Sequence, residues 1–593
     1  DFHDEFIELY NRTSYTINLD GWVLYAEGSE TPYINLSDTI QPQSYFLLER
    51  KDDATVSDVA ADLIYGNDGP DWALNNNGEI LVLSRLSSAG SEQATTTIDQ
   101  TPNCDAHWSS CGGKDAGVYP TMERMDMEVS GADSANWGTA NGAVKNGLDS
   151  AGAALTATPR ARNSLHYLIA QGTTLSADRI LKKSFGTYII RNNENFTVPS
   201  GRTLTIEPGV TVKIGSESGL IIKGTLKSDG TSNDNILWTS LDTPAQSWKN
   251  IRISSGSAGS SVSYSRFEYG GRFFSDTEGE ERAALSIVGN STPVSHSVFQ
   301  NSFSAGLRLT SSDSSVSANT FSVGTTTANN IGLYATGGGA PTISGNTFSR
   351  NYTGLYTTGA GNITNNVFEN NIDYPVYSPS NAASFSGNSG SGNGTNGIAL
   401  AGNIATAGAT TTLSANALPY ITRAPDNAVI PAGAGVIMET GAKLVGANSN
   451  NSEFIVNGTL KLEGASKDSI IFTSLADSAP SQWSGILVNS TGRVYGGGFT
   501  LRYGGKGVGC PTCAGFRVEG GSVDLENGVL QNNYLAGMRF SGAATSTLNN
   551  FEFLDHQTPT GEAIGLVSSN SPLTLTNLIF SNNHANTSPA NLY

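Results

Sequence analysis

The sequence predicts an all-β protein: a β-sandwich followed by a long, coiled parallel sheet. Three observations carry this. No stretch of 12 or more residues places apolar side chains at i, i+3, i+4 and i+7, so helix periodicity is missing. Short alternating runs recur instead, such as Phe6-Ile7-Glu8-Leu9, Ile80-Leu81-Val82-Leu83 and Thr203-Leu204-Thr205-Ile206, each bounded by turn residues. Finally, a long block of the second half returns 232 to 238 residues after its first appearance.

Composition bounds the rest. The chain has 593 residues with 68 Gly and 21 Pro; 38% are hydrophobic and only 14% charged, too apolar for disorder and too poor in Lys and Glu for helices. A net charge of −19 offers no counterion release on nucleic acid, so nucleic acid is not expected as a partner. No run of 18 apolar residues exists, so no helical membrane span is expected. The chain opens at Asp1 without Met and reads as a mature or trimmed exported segment. Cys104 and Cys111 form one local pair, Cys510 and Cys513 another. Their spacing does not suit zinc, and two small loop disulfides fit an exported protein; free thiols in a reducing compartment are the alternative.

Residues 1–164 carry six expected strands: Glu5–Tyr10, Gly21–Tyr25, Ser44–Glu49, Asp62–Tyr65, Glu79–Leu83 and Thr96–Asp99. Their alternation is one-sided, as in a sheet with one face on a core. The ordered series Asp4-Glu5-Phe6-Ile7-Glu8-Leu9-Tyr10-Asn11, Asn18-Leu19-Asp20-Gly21-Trp22, Ser44-Tyr45-Phe46-Leu47-Leu48-Glu49-Arg50, Leu74-Asn75 with Gly78-Glu79, Met122-Glu123-Arg124, Asn136-Trp137 and Thr158-Pro159-Arg160-Ala161-Arg162-Asn163-Ser164 resembles the lamin-tail domain. That resemblance implies an immunoglobulin-like sandwich of the kind found in nuclear lamins and exported bacterial proteins. Members usually begin with one more strand; here only Asp1-Phe2-His3 precede the first run.

From Gly172 onward the texture is repetitive. Thr173-Thr174-Leu175-Ser176-Ala177 recurs as Thr411-Thr412-Leu413-Ser414-Ala415, Gly224-Thr225-Leu226-Lys227 as Gly458-Thr459-Leu460-Lys461, and Trp248 as Trp483. Two tandem units follow, 165–410 and 411–593, the second stopping short of the first's length. Inside the first runs an Asn-x-Phe step, at Asn319-Thr320-Phe321, Asn346-Thr347-Phe348 and Asn366-Val367-Phe368. A beat of 20 to 27 residues without helix suits one coil of a right-handed parallel β-helix, with Asn stacking at the tight turn. At roughly 23 residues a coil, some 400 residues would make about 17 coils. The segment from Thr173 to Lys213 also resembles the entry of β-helix proteins on bacterial surfaces. The β-helix fold is shared by polysaccharide lyases, glycosidases, tailspikes and adhesins, so it does not select a function.

Candidate chemistry is sparse. A β-helix glycosidase needs carboxylates about 5–9.5 Å apart. Residues 314–368 hold no acid at all. Asp524, Glu526, Glu552 and Asp555, with Arg502, Arg517, Arg539 and His556 nearby, are the best candidate catalytic cluster, because intervals of 26 to 31 residues allow neighbouring coils. The acidic run Asp276, Glu278, Glu280 and Glu281 is a candidate Ca²⁺ site, set against a solvated loop; no other cofactor is expected. Tyr334, Tyr356, Phe273 and Phe274 are candidates for stacking on sugar rings, set against a role as core rungs.

The favoured reading is a non-catalytic extracellular or cell-surface protein: a rigid β-helical stalk, adhesin-like or carbohydrate-binding. The alternative is a polysaccharide lyase or glycoside hydrolase acting on an extracellular polysaccharide. Expected partners are an extracellular or cell-envelope polysaccharide or a surface protein. The absence of a capping helix after the last repeat also leads one to expect end-to-end self-association through open strand edges.

Overall fold

The computed structural model describes residues 5–592 apart from 29–31, 67–71, 76–77, 87–93, 104–120, 125–126, 128, 141–145, 162, 164–173, 176–177, 184–186, 191, 242–247, 277–278, 325–329, 360, 381–382, 449–451, 506–511, 558–563 and 584–589. It divides into two compact units. The front unit comprises 1–173 with 187–196, and the second comprises 174–186 with 197–593.

All six strands expected in the front unit form, within one or two residues of the expected ends for most. Phe6–Tyr10 pairs antiparallel with Tyr45–Arg50, and Trp22–Ala26 lies between Tyr33–Leu36 and Leu81–Leu86. Their inward residues Leu19, Leu24, Ile34, Leu36, Phe46, Leu48 and Tyr65 close one apolar core. The motif residues tie its loops together. Glu5 accepts the Leu74 N–H at 2.9 Å and faces the buried Arg50, while Glu123 accepts the Thr158 hydroxyl at 2.8 Å. Arg160 forms an ion pair with Asp62 at 2.6 Å.

The second unit is a right-handed parallel β-solenoid of about 14 turns between residues 179 and 581. In the first repeat each coil contributes one strand to each of three faces. Face A includes Ala283–Val288, Ala305–Thr310, Ile331–Thr336, Thr353–Thr357 and Val376–Pro379. Face B includes Ser315–Ser317, Thr342–Ser344 and Asn362–Thr364, and face C includes Thr320–Ser322, Thr347–Ser349 and Val367–Glu369. The coil count falls below the expected 17 because coil length varies with its loops. Ile343 pairs with Ile363 a short coil later, whereas Leu460 must reach Val494.

Two stacks hold the coils in register. Inside face C, Phe267, Phe299, Phe321, Phe348 and Phe368 lie ring over ring at 4.8–4.9 Å, all fully buried. At the corner before face C, Asn319, Asn346, Asn366 and Asn388 form a buried amide ladder. Asn346 Oδ1 accepts the Asn319 backbone N–H at 2.9 Å, and Asn346 Nδ2 donates to the Val316 carbonyl at 2.9 Å. Single residues with positive φ, such as Ala318 (55°) and Asn365 (55°), make the corner tight enough for this. We therefore expect Asn346→Ala to cost about 1–3 kcal/mol for each backbone group it orphans. Urea unfolding would read this out, and a loss under about 0.5 kcal/mol would mean the ladder is decorative.

The duplication is visible in bonding. Trp248 and Trp483 are both fully buried, and their indole N–H groups donate to the Glu268 and Arg502 carbonyls at 2.8 and 3.0 Å. Between the repeats the winding shifts. Ile398–Asn403 of face A pairs both with Tyr420–Thr422, which continues the face, and with Ala428–Ile430, which begins a separate column. Tyr420 fills this fault. Its phenol accepts from Asn416 Nδ2 at 2.9 Å and donates to the Ser414 carbonyl at 2.9 Å.

Candidate functional site

Chemistry on a solenoid is decided by which side chains point outward and what covers them. The four acids of the second repeat do not converge. In Ser522–Gln531 the inward phase runs Val523, Leu525 and then Gly528, Leu530, so the strand turns a corner at Asn527, whose φ is 53°. Asp524 and Glu526 stand exposed before that corner, where they face Thr547 and Asn549 of the next coil. Glu552 lies after the equivalent corner, opposite Val529. It forms an ion pair with Lys467 at 2.6 Å, and Asp555 follows in the next turn with φ 53°. The expected cluster is thus split between two faces, because sequence interval alone does not fix the phase of a strand that bends.

Of the arginines and histidine named with it, Arg502, Arg517 and His556 are engaged, whereas Arg539 has its Nε buried without a hydrogen-bond partner. Arg502 grips Asp477 through two bonds of 2.7 Å. Burial pushes Asp477 up, but the hydrogen bonds from Arg502 and Thr473 outweigh it and hold the carboxyl below its usual range. Arg517 bonds Glu453 and Glu519. His556 is wholly buried, its Nδ1 accepting the Asn533 N–H at 3.2 Å.

At the acidic run, Phe274–Asp276 and Gly279–Glu281 form an antiparallel hairpin. Glu278 and the side chains of Phe274, Asp276 and Glu280 lie outside the described residues. Glu281 is buried against the outer side of face A. It is 2% exposed, forms an ion pair with Arg308 at 2.9 Å and accepts the Ser286 hydroxyl at 3.2 Å. Among the described residues no group of three His, Cys, Asp or Glu is placed to hold a metal. Cys513 is buried and disulfide-bonded; Cys104, Cys111 and Cys510 lie outside the described residues.

The tyrosines do meet. On face A the register aligns Arg308, Tyr334, Tyr356 and Tyr377 as one outward column. Tyr334 and Tyr356 stack at 4.4 Å with 7° between their planes, and Tyr377 meets Tyr356 edge-on at 5.4 Å. Arg308 caps the Tyr334 ring at 4.9 Å, and Arg423 caps the Tyr377 ring at 4.5 Å. The ring faces are therefore taken by neighbours, and the column presents hydroxyl edges, not stacking platforms. Burial, reinforced by the neighbouring Tyr334 phenol, pushes the Tyr356 hydroxyl up to about 12. Burial likewise raises Asp373, against the pull of Arg423. Phe273 is exposed, with the Arg282 guanidinium 5.1 Å from its ring. Arg308 and Arg423 escaped the sequence reading because nothing local marks them; they reach the column only through coil register.

Residues 249–416 match the family model described as right handed beta helix region. Over 107 residues, 17% of this chain, it is 36% identical to Protein bark beetle of Drosophila melanogaster; the match spans 3% of that protein's length. Among solved structures it is similar to the Dettilon tailspike protein at 12% identity, with a TM-score of 0.21 over 59% of this chain and 58% of that one. It is also similar to the PL6 family alginate lyase AlyGC at 10% identity, with a TM-score of 0.20 over 67% and 89%. A third is endo-xylogalacturonan hydrolase from Aspergillus tubingensis at 11% identity, with a TM-score of 0.19 over 69% and 87%. No helix among the described residues is long and apolar enough to cross a membrane.

Proposed function

We propose that this chain is a non-catalytic extracellular or cell-surface scaffold: a rigid β-helix that binds carbohydrate, with a lamin-tail-like front unit as its docking module. The observation that carries this is where the candidate acids go. Asp524 and Glu526 stand on a different face from Glu552, and Glu552 and Glu281 are held in ion pairs with Lys467 and Arg308. Tyr356 does not supply a base either, since a phenol near 12 is poorly matched to proton abstraction at neutral pH. A lyase or glycosidase has one feature in its favour: Asp524 and Glu526 stand exposed on the same side of one strand.

The test is to incubate the purified protein with a panel of acidic and neutral polysaccharides. Retention on one or more of them, with no new reducing or unsaturated ends, is expected. Cleavage at enzymatic rates, abolished in Asp524→Asn or Glu552→Gln, would overturn the scaffold reading in favour of the enzyme.

A further inference from the structure

The outward column of face A is covered along part of its length and open along the rest. Part of it runs Arg252, Ser286, Arg308, Tyr334, Tyr356, Tyr377, Ala399 and Ile421. Arg252, Ser286, Ala399 and Ile421 are 0% exposed although they point away from the coil interior. Arg308 is 25% exposed at its side chain, and the three tyrosines are partly exposed. Four successive partly exposed rungs thus lie between buried ones. The hairpin ending at Glu281 borders one end, and Arg423 stands at the other.

Resting on the scaffold reading above, we infer that these four rungs bind about four residues of an acidic, carboxylate-bearing polysaccharide laid along the solenoid axis. Parallel strands repeat every 4.8 Å or so, about the advance of one pyranose unit in an extended chain, so successive sugars meet successive rungs. Three of the four rungs, Tyr334, Tyr356 and Tyr377, carry a phenol hydroxyl for hydrogen bonding to sugar hydroxyls. The guanidiniums at the two ends supply the carboxylate recognition. Arg308 is held by Glu281 through Nε at 2.9 Å, and planar guanidinium forks suit carboxylates. The Arg423 guanidinium sits 4.5 Å over the Tyr377 ring, with Asp426 3.7 Å away.

The experiment is calorimetric titration of the full chain with size-defined oligouronates from dimer to hexamer, and with uncharged xylo-oligosaccharides of the same lengths. Affinity for oligouronates should rise with length, level off near the tetramer and exceed that for the uncharged series. Arg308→Ala and Arg423→Ala should each weaken binding about tenfold or more, as for a lost charged hydrogen bond. Tyr356→Phe should weaken it several-fold with thermal unfolding unchanged. Unaltered oligouronate binding in all three variants would place the site elsewhere and leave the scaffold reading standing. A preference for the uncharged series would overturn the ligand class. A wild-type chain that binds nothing in the polysaccharide panel would remove both.

Discussion

Phe321→Ala is expected to unravel the solenoid locally, at a cost of about 3–5 kcal/mol, while the front unit stays folded. Phe321 is fully buried and is the middle ring of five, with Phe299 at 4.9 Å and Phe348 at 4.8 Å, both planes within 8° of its own. Truncation removes the apolar area, leaves a cavity between two coils and breaks two ring contacts worth about 0.5–1.5 kcal/mol each. A repeat protein is held mainly by nearest-neighbour interfaces, so damage should spread to flanking coils and fade. Hydrogen exchange should show protection lost over Val298–Gln300 and Thr347–Ser349, and retained around Val494 and in the separate core of Leu24 and Phe46. Phe321→Leu should cost under about 1.5 kcal/mol. Equal loss of protection across every coil would show the solenoid to be one cooperative unit.

That ladder was legible in the sequence, and the reason is physical. Asn319-Thr320-Phe321 and its two successors put an amide at a corner and a ring two positions on, both inside. Any coil that keeps this spacing stacks both on the coil before, so the motif reports its own contacts. The paired tryptophans were readable for the same reason. What the sequence hid depends on coil length and corner phase. Lys467 finds Glu552 across 85 residues, and no local pattern announces that pair. Asp524 and Glu552 look like neighbours by interval, yet a single residue of positive φ at Asn527 sends them to different faces. The tyrosines were visible as candidates. Their contacts with one another were not, because these depend on the register of successive coils.

His556 is expected to give the solenoid an acid-sensitive slope that His556→Asn removes. The imidazole occupies an Asn position in the second repeat's corner ladder. Asn533 offers its N–H to His556 Nδ1 at 3.2 Å, and His556 offers its own N–H to Asn583 Oδ1 at 3.2 Å. Nδ1 as acceptor places the ring's proton on Nε2, which is buried without a partner. A second proton would abolish the acceptor and bury a charge, so burial lowers the folded-state pKa to about 3, against about 6.5 when unfolded. The sign follows from proton counting. Between those values the unfolded chain binds more protons than the folded one, so stability falls as pH drops from about 6.5 toward 3 and changes little above. The full effect is on the order of a few kcal/mol. His556→Asn keeps an acceptor for Asn533 and removes both the titration and the unpaired Nε2. It also empties the space over Gly537, which lacks a side chain where the imidazole reaches. These opposed changes should leave stability near neutral pH within about 1 kcal/mol of the wild type. Urea unfolding from pH 7 to pH 4 in the two proteins separates the contributions. The wild-type midpoint should fall more steeply, and parallel slopes would mean that other groups carry the acid response.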